Sequence, residues 1–295
     1  MLAAPQDSTV AGRCRLCGAA DTAPWLEKRG FAIRRCRACG NAFVPDAAVP
    51  DDLEAVYNAG YFGGGEATGY PSYEADRPLM ERSFATRLEW IAARAPAGRL
   101  LDVGAAYGFA LGAARARGYD AMGVEIVPEA AAAARAYAGV PVIASDFLAA
   151  DLDPGFAVLT MFDVLEHMRD PRACIARARD LLAPGGILVV ETGDLASPWA
   201  SLLGRRWYFL DPPQHLSYFT AAGLQRILGE LGLVPEARVR RLGRWVSAAN
   251  IAFKLAHHAP IGGGLFGWVA GRRPPGAVYI NFGDTMLVAA RRPPG

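Results

Sequence analysis

The 295-residue sequence carries almost no net charge, since 31 basic side chains against 29 acidic ones leave +2. A protein that tracks nucleic acid by neutralising phosphates needs a far larger excess, so the charge balance argues against nucleic acid as a partner. The N-terminus, MLAAPQDSTV, lacks a basic segment followed by an apolar run. The expectation is therefore no secretory leader and a cytoplasmic protein. No uninterrupted apolar stretch could cross a bilayer: the most apolar segment, Trp245 to Ala270, is broken by Lys254, His257, His258, Pro260 and three successive glycines. Internal repeats are absent. Cysteines are few, five in all, and four of them fall in two close pairs, a pattern that in a reducing compartment suggests metal rather than disulfides.

What is present reads as an ordinary globule, 52% hydrophobic and 20% charged, with one large core and a small accessory domain. Residues 1–45 are Cys- and Arg-rich and have little apolar periodicity, so they need a staple to hold a fold. Cys14-x-x-Cys17 and Cys36-x-x-Cys39, separated by eighteen residues, match the spacing of a zinc ribbon. Each pair points two thiolates at one tetrahedral ion, and Gly18 and Gly40 suit the turns that follow. Four thiolates close the shell, so the expected Zn2+ is structural. Cys174 lies on the apolar face of a helical pattern and belongs to the core. Seven basic residues between Ala11 and Pro45 face only two acidic ones, which leaves room for an anionic partner at this end. Residues 46–98 read as a linker, a lid of Tyr57, Tyr61, Phe62, Tyr70 and Tyr73 around Gly63 to Gly65, and a leading helix from Asp76.

From Arg99 onward, β-type runs alternate with helical patterns, the signature of a parallel sheet covered on both faces. RLLDVG, YDAMGVEI, VPVIAS, FAVLTMFD and GILVVETG are the strand candidates. Helices are expected from Pro171, with Cys174, Ile175, Ala178, Leu181 and Leu182 on one face, and from the N-cap Thr220. LVPEARVRRL and NFGDTMLVAARR predict an antiparallel pair at the sheet edge. The first strand runs into a turn bearing Gly104 and Gly108, where backbone amides can approach a ligand closely. Glu125 ends the second strand, twenty-three residues after Asp102, where a carboxylate can bind both hydroxyls of a ribose. Ser145-Asp146-Phe147 follows the third.

Residues 82–292 resemble the class I S-adenosylmethionine (SAM)-dependent methyltransferases. Asp102-x-Gly104-x-Ala106-x-Gly108 is similar to that family's first motif, with alanine in place of its middle glycine. Phe162-Asp163-Val164-Leu165-Glu166-His167 resembles its fourth-strand motif, and Leu182-Ala183-Pro184-Gly185-Gly186 the turn into its fifth strand. The resemblance implies that Asp102 and Gly104, with Ala106, Gly108 and Asp163 around them, hold the amino acid moiety of SAM. It implies further that Glu125 holds the ribose and Asp146 with Phe147 the adenine, with Ile126 also among the cofactor-binding residues. An NAD-binding domain would need GxGxxG, which this turn lacks. The expected fold is thus α/β: a Rossmann-like, seven-stranded methyltransferase sheet over residues 99–295 with a small N-terminal zinc ribbon.

Gln214-His215-Leu216-Ser217-Tyr218-Phe219 follows Trp207-Tyr208-Phe209 and two stiffening prolines, Pro212 and Pro213. It resembles the HLSYF stretch of sugar C-methyltransferases, which also begin with a four-cysteine zinc module. The resemblance implies that His215 is a catalytic base, with Gln214 where those enzymes tend to have glutamate and Pro212 where they place tyrosine. A histidine suits proton removal near neutral pH. His167 reads as a helix-start residue, and His257 and His258 as surface positions. The expected activity is methylation of a carbon or oxygen of a small molecule by a monomer or homodimer, with a nucleotide-linked sugar preferred. The alternatives are methylation of RNA and a non-enzymatic zinc-ribbon adaptor.

Overall fold

The computed structural model describes residues 12–50, 76–248, 251 and 276–294. The aromatic and glycine lid proposed around residues 57–73, and most of the apolar segment 245–270, lie outside them. None of the helices among the described residues is long and apolar enough to cross a membrane.

The N-terminal region forms strands β1 (Thr22–Lys28), β2 (Phe31–Cys36) and β3 (Ala42–Phe43). Helix α1 (Arg77–Ala92) then leads into an alternation: β4 (Arg99–Val103), α2 (Phe109–Arg115), β5 (Asp120–Glu125), α3 (Pro128–Ala138), β6 (Val142–Ala144) and β7 (Phe156–Phe162). After a short 3-10 turn over Leu165–His167 come α4 (Pro171–Leu181), β8 (Leu182–Gly193), α5 (Pro198–Leu203), β9 (Ser217–Tyr218) and α6 (Ala221–Glu230). The chain closes with β10 (Val234–Pro235), β11 (Arg244–Ser247), β12 (Ala277–Ile280) and β13 (Thr285–Arg291).

Seven strands form the central sheet in the order β10-β13-β8-β7-β4-β5-β6. β4, β5, β6, β7 and β8 pair in parallel, while β13 and β10 are antiparallel. These runs are buried on both faces because helices cover both sides, and alternate residues divide between two cores. Leu101, Val103, Leu159, Met161, Leu188 and Val190 face α4 and α6, whereas Leu100, Val158, Ile187 and Val189 face α1, α2 and α3. Helix caps are where the residue types place them: Asp170 accepts from Ala173 N at the start of α4, and Thr220 from Gly223 N at the start of α6.

Two details depart from the sequence reading. Leu182 to Gly186 is already strand rather than a turn into one. Pairing with β7 jumps from Leu182 to Ile187, so the prolyl-glycyl stretch bulges out and meets the chain end through Gly185 N to Arg292 O at 3.0 Å. The first member of the edge pair is only two residues long; the chain after Pro235 leaves the ladder and touches β13 again through Arg240 and Leu287.

The sheet of the N-terminal module is completed by the main domain. Its order is β1-β2-β3-β9, with Ala42 opposite Tyr218 and Phe43 opposite Ser217. Phe31, Ile33, Val44, Trp207, Phe209, Leu216 and Tyr218 share one buried cluster. The HLSYF stretch is thereby built into a sheet with the cysteine-bearing segment.

Candidate active site

The sheet changes winding direction at β4, which has β5 and β6 on one side and β7 and β8 on the other. Ligands of open parallel sheets sit beyond the carboxyl ends of the strands at such a point. Here β4 runs into Gly104, at φ +72°, and Gly108, at φ +82°. A Cβ on Gly104 would stand 2.4 Å from Val164 Cγ2, so the turn and the segment after β7 are in direct contact. Ala106, in the place of the middle glycine, also has positive φ, +46°. Its N–H donates to Glu125 Oε2 at 2.8 Å, which ties the turn to the end of β5.

Glu125 is buried, and its other oxygen accepts from Val127 N at 3.0 Å. Burial raises its carboxyl above the usual range, opposed by bonds from the Val127, Ala106 and Ile126 amides. Each oxygen keeps a second lone pair for a hydroxyl. Ile126 beside it is 41% exposed, an apolar surface at the mouth of the site. Asp102 is buried at the end of β4 and accepts from Thr160 Oγ1 at 2.5 Å. Burial pushes its carboxyl up to about 7; the Thr160 bond opposes the rise and the Glu125 charge adds to it. Asp146 is exposed and caps its own turn through Leu148 N at 2.6 Å, while Phe147 is turned into the core with Arg177 over its ring. Asp163 has φ +52°, and its Oδ2 lies 3.7 Å from Arg244. The structure thus gathers Asp102, Gly104, Ala106, Gly108, Glu125, Ile126 and Asp163 at one end of the sheet.

The second half of the site comes from the 3-10 turn after β7 and from the 207–219 segment. Leu216 N donates to Glu166 O at 2.8 Å, joining the two. His215 Nδ1 lies 2.6 Å from Phe209 O and His167 Nδ1 lies 3.0 Å from Gln214 O. A carbonyl only accepts, so His215 Nδ1 carries the proton and its Nε2 holds the lone pair, whereas His167 also meets the Asp163 backbone. The rings of His167 and His215 meet edge to face with centroids 4.6 Å apart, and the Phe209 ring lies 4.4 Å from that of His215. Burial lowers His215 to about 4 and His167 to about 3, the latter helped by its neighbour His215. Glu166 is fully buried among these groups.

The N-terminal hairpin holds this loop. Arg29 pairs with Asp211, Lys28 Nζ donates to Trp207 O at 3.2 Å and Arg205 to Glu27 O at 2.7 Å. Asn41 Oδ1 accepts from Thr220 N at 2.7 Å. The four cysteine sulfurs converge, with Cys14 to Cys39 at 3.8 Å, Cys17 to Cys36 at 3.5 Å, and all four within 4.8 Å of one another. Zn–S bonds of about 2.3 Å in a tetrahedron set sulfurs about 3.8 Å apart, so the donor set fits a zinc ion.

Two features escape the sequence reading. Arg87 of α1 makes a bidentate, buried ion pair with Glu191 of β8 at 2.5 and 2.6 Å. Glu166 and His167, on the turn after β7, stand beside His215. The glutamate-histidine pair in FDVLEH is the only local sign of it.

A seven-stranded mixed sheet with the last long strand antiparallel, and a glycine turn at its winding reversal, define the class I methyltransferase fold. Residues 73–237 match the methyltransferase-domain family, and the chain belongs to that family. It is 33% identical over 131 residues to a ubiquinone biosynthesis O-methyltransferase of Xanthomonas campestris pv. campestris (strain B100), covering 41% of this chain and 55% of that protein. The Burkholderia thailandensis enzyme of the same name is 28% identical over 165 residues, 48% of this chain and 71% of its own. The chain thus spans about half the length of the first of these curated relatives. Among solved structures, Burkholderia thailandensis 1,6-didemethyltoxoflavin-N1-methyltransferase, bound to 1,6-didemethyltoxoflavin and S-adenosylhomocysteine, superposes with TM-score 0.51 at 18% identity over 92% of this chain and 99% of that one. YcgJ of Bacillus subtilis gives 0.51 at 14% identity over 72% and 100%. These likenesses are of fold.

Proposed function

We propose that the protein transfers the methyl group of SAM to an oxygen of a small molecule. The observation that carries this reading is the joining of Ala106 N to Glu125 Oε2, which brings the glycine turn and a buried carboxylate together at the carboxyl ends of two adjacent strands. Asp102 and the turn from Gly104 to Gly108 receive the amino acid end of SAM, Glu125 the ribose hydroxyls, and Ile126 and Asp146 the adenine side, while the buried Phe147 ring backs the Asp146 turn from the core. SAM supplies an electrophilic methyl on a cationic sulfur; the chain has to bind, aim and dry the reactants. Asp163 and His215 line the acceptor side, and His215 faces the acceptor as a neutral imidazole.

Relatives named O-methyltransferases favour an oxygen acceptor. The HLSYF likeness adds a nucleotide-linked sugar to the candidates. The four cysteines hold a structural Zn2+ in a ribbon over residues 12–45 that braces the acceptor loop. Calorimetry with S-adenosylhomocysteine, followed by mass spectrometry of phenolic, hydroxy-acid and nucleotide-sugar acceptors incubated with SAM, tests the reading. Micromolar binding and a 14-Da gain on one acceptor class are expected. Folded, zinc-loaded protein that binds neither SAM nor its product would refute it.

A further inference from the structure

The first turn of the N-terminal module and the start of α4 face each other across a cleft of about 520 Å³ lined by Arg15, Asp46, Val49, Arg169, Asp170 and Arg172. That volume lies in the range of small-molecule sites. Three guanidiniums meet two carboxylates there, and the carboxylates are not equivalent. Asp170 is spent on the cap of α4, where its Oδ1 accepts from Ala173 N at 2.9 Å. Asp46, whose side chain is 79% exposed, holds Arg15 Nη2 at 2.5 Å. The Arg15 side chain is only 4% exposed, and its Nε and Nη1 have no hydrogen-bond partner. A guanidinium withdrawn from water with two donors unpaired is costly, and one exposed carboxylate offsets little of that cost.

The opposite wall is anchored to the module through its own arginines. Arg172 Nη1 donates to Leu16 O at 3.0 Å and to Glu230 Oε2 at 2.9 Å, and Arg169 donates to Pro50 O. Positive charge therefore enters the cleft from both units, Arg15 from the cysteine-bearing turn and Arg169 with Arg172 from the methyltransferase domain.

We propose that this cleft binds a phosphate group that bridges the two units, its oxygens replacing the Asp46 carboxylate on Arg15. The planar fork of a guanidinium matches phosphate oxygens two at a time. With Asp46 turned to water, the three arginines, Asp170 and a phosphate dianion sum to zero charge. Occupancy ties the module to α4 and stabilises the folded chain. None of the lining residues is assigned to SAM or to its acceptor, so the site stands apart from the methyltransferase reading.

The test is calorimetry of the full, zinc-loaded chain with inorganic phosphate, pyrophosphate and glycerol 3-phosphate at low ionic strength, alongside thermal scans. One anion per chain and a raised unfolding midpoint are expected. Arg15→Gln and Arg169→Gln each weaken binding about tenfold, with the zinc content retained. If Arg15→Gln does not fold, Arg169→Gln, at an exposed position, carries the test. Asp46→Asn removes the competing carboxylate and tightens binding. Arg37→Gln, at a side chain 69% exposed on the same module and outside the cleft lining, keeps wild-type affinity. Inorganic phosphate or pyrophosphate bound as tightly as the ester identifies a free ion as the occupant, whereas an ester bound about tenfold more tightly assigns the phosphate to a larger molecule. A wild-type chain that binds none of the three, a folded Arg169→Gln or Asp46→Asn with unchanged affinity, or an equal loss in Arg37→Gln, which signals a diffuse basic surface, overturns the proposal. Calorimetry with S-adenosylhomocysteine on the same samples keeps the two readings separate: phosphate bound without the cofactor removes the methyltransferase and leaves the anion site.

Discussion

Replacing Gly104 by alanine probes the contact between the cofactor turn and the segment that carries Glu166 and His167. Two costs follow from the geometry. At φ +72° an L-residue is in the left-handed region, which costs about 1–2 kcal/mol. The new methyl would lie 2.4 Å from Val164 Cγ2, and valine has little freedom at χ1 to move away, so overpacking adds about 1–3 kcal/mol. The sum is about 2–5 kcal/mol. At about 2 °C per kcal/mol for a domain of this size, the unfolding midpoint falls by about 4–10 °C. Pushing Val164 away also shifts Glu166 and His167, so S-adenosylhomocysteine affinity and turnover both drop. Thermal scans and calorimetry on Gly104→Ala, Val164→Ala and the double variant form the assay. The two substitutions should be less than additive, because Val164→Ala removes the atoms the methyl strikes. Strict additivity, or a Gly104→Ala protein as stable as wild type, refutes the steric argument.

Ala106→Gly in the same turn should have the opposite sign. It relieves a left-handed alanine and gains about 0.5–1 kcal/mol after the extra entropy of glycine, read as a rise of about 1–2 °C in the midpoint. Asp102, raised by burial to about 7, binds its proton more tightly folded than unfolded. Its contribution to stability is therefore full below the ordinary carboxyl range and is lost as pH rises to about 7, at up to about 1.4 kcal/mol per unit. Denaturant titrations from pH 4 to 8 should show that slope flattened in Asp102→Asn. Binding of the cationic cofactor below pH 7 should release a proton in wild type only, seen as a buffer-dependent heat. Arg87→Met strands Glu191 in the core and should cost about 3–5 kcal/mol in chemical denaturation, most of it recovered by Arg87→Met/Glu191→Leu. Equal stability of the two variants would remove the ion-pair argument.

What the sequence makes legible is local. β4, β7 and the body of β8 are apolar runs, and the Asp102, Gly104 and Glu125 spacing follows from strand, turn and helix lengths. The start of β8 is hidden because Pro184, Gly185 and Gly186 have turn chemistry, yet here they form a bulge held by Arg292. β9 is two residues long, too short for any periodicity, and its partner β3 is far away in the chain. Arg87 and Glu191 are 104 positions apart, and each reads as a surface charge until helix α1 is laid on the sheet. The His167 ring sits beside that of His215 only because Leu216 N reaches Glu166 O.

These non-local links divide the site by origin. The cofactor half is made from strand ends of the central sheet, whose register is held by two cores. The acceptor half is held from outside that sheet. On either side of His215, backbone or side-chain partners belong to the N-terminal module: Arg29 on Asp211, Phe43 paired with Ser217, Val44 N on Leu216 O, and Asn41 on Thr220. A loop that satisfies its backbone polar groups against a second unit takes its shape from that unit. The cysteine-bearing hairpin therefore shapes the loop that carries His215 through hydrogen bonds to it. Among the described residues no hydrogen bond from residues 12–50 reaches the Gly104 to Glu125 turn, and the module meets that half only through the buried cluster in which Leu16 and Phe43 join Leu101, Val103 and Val124.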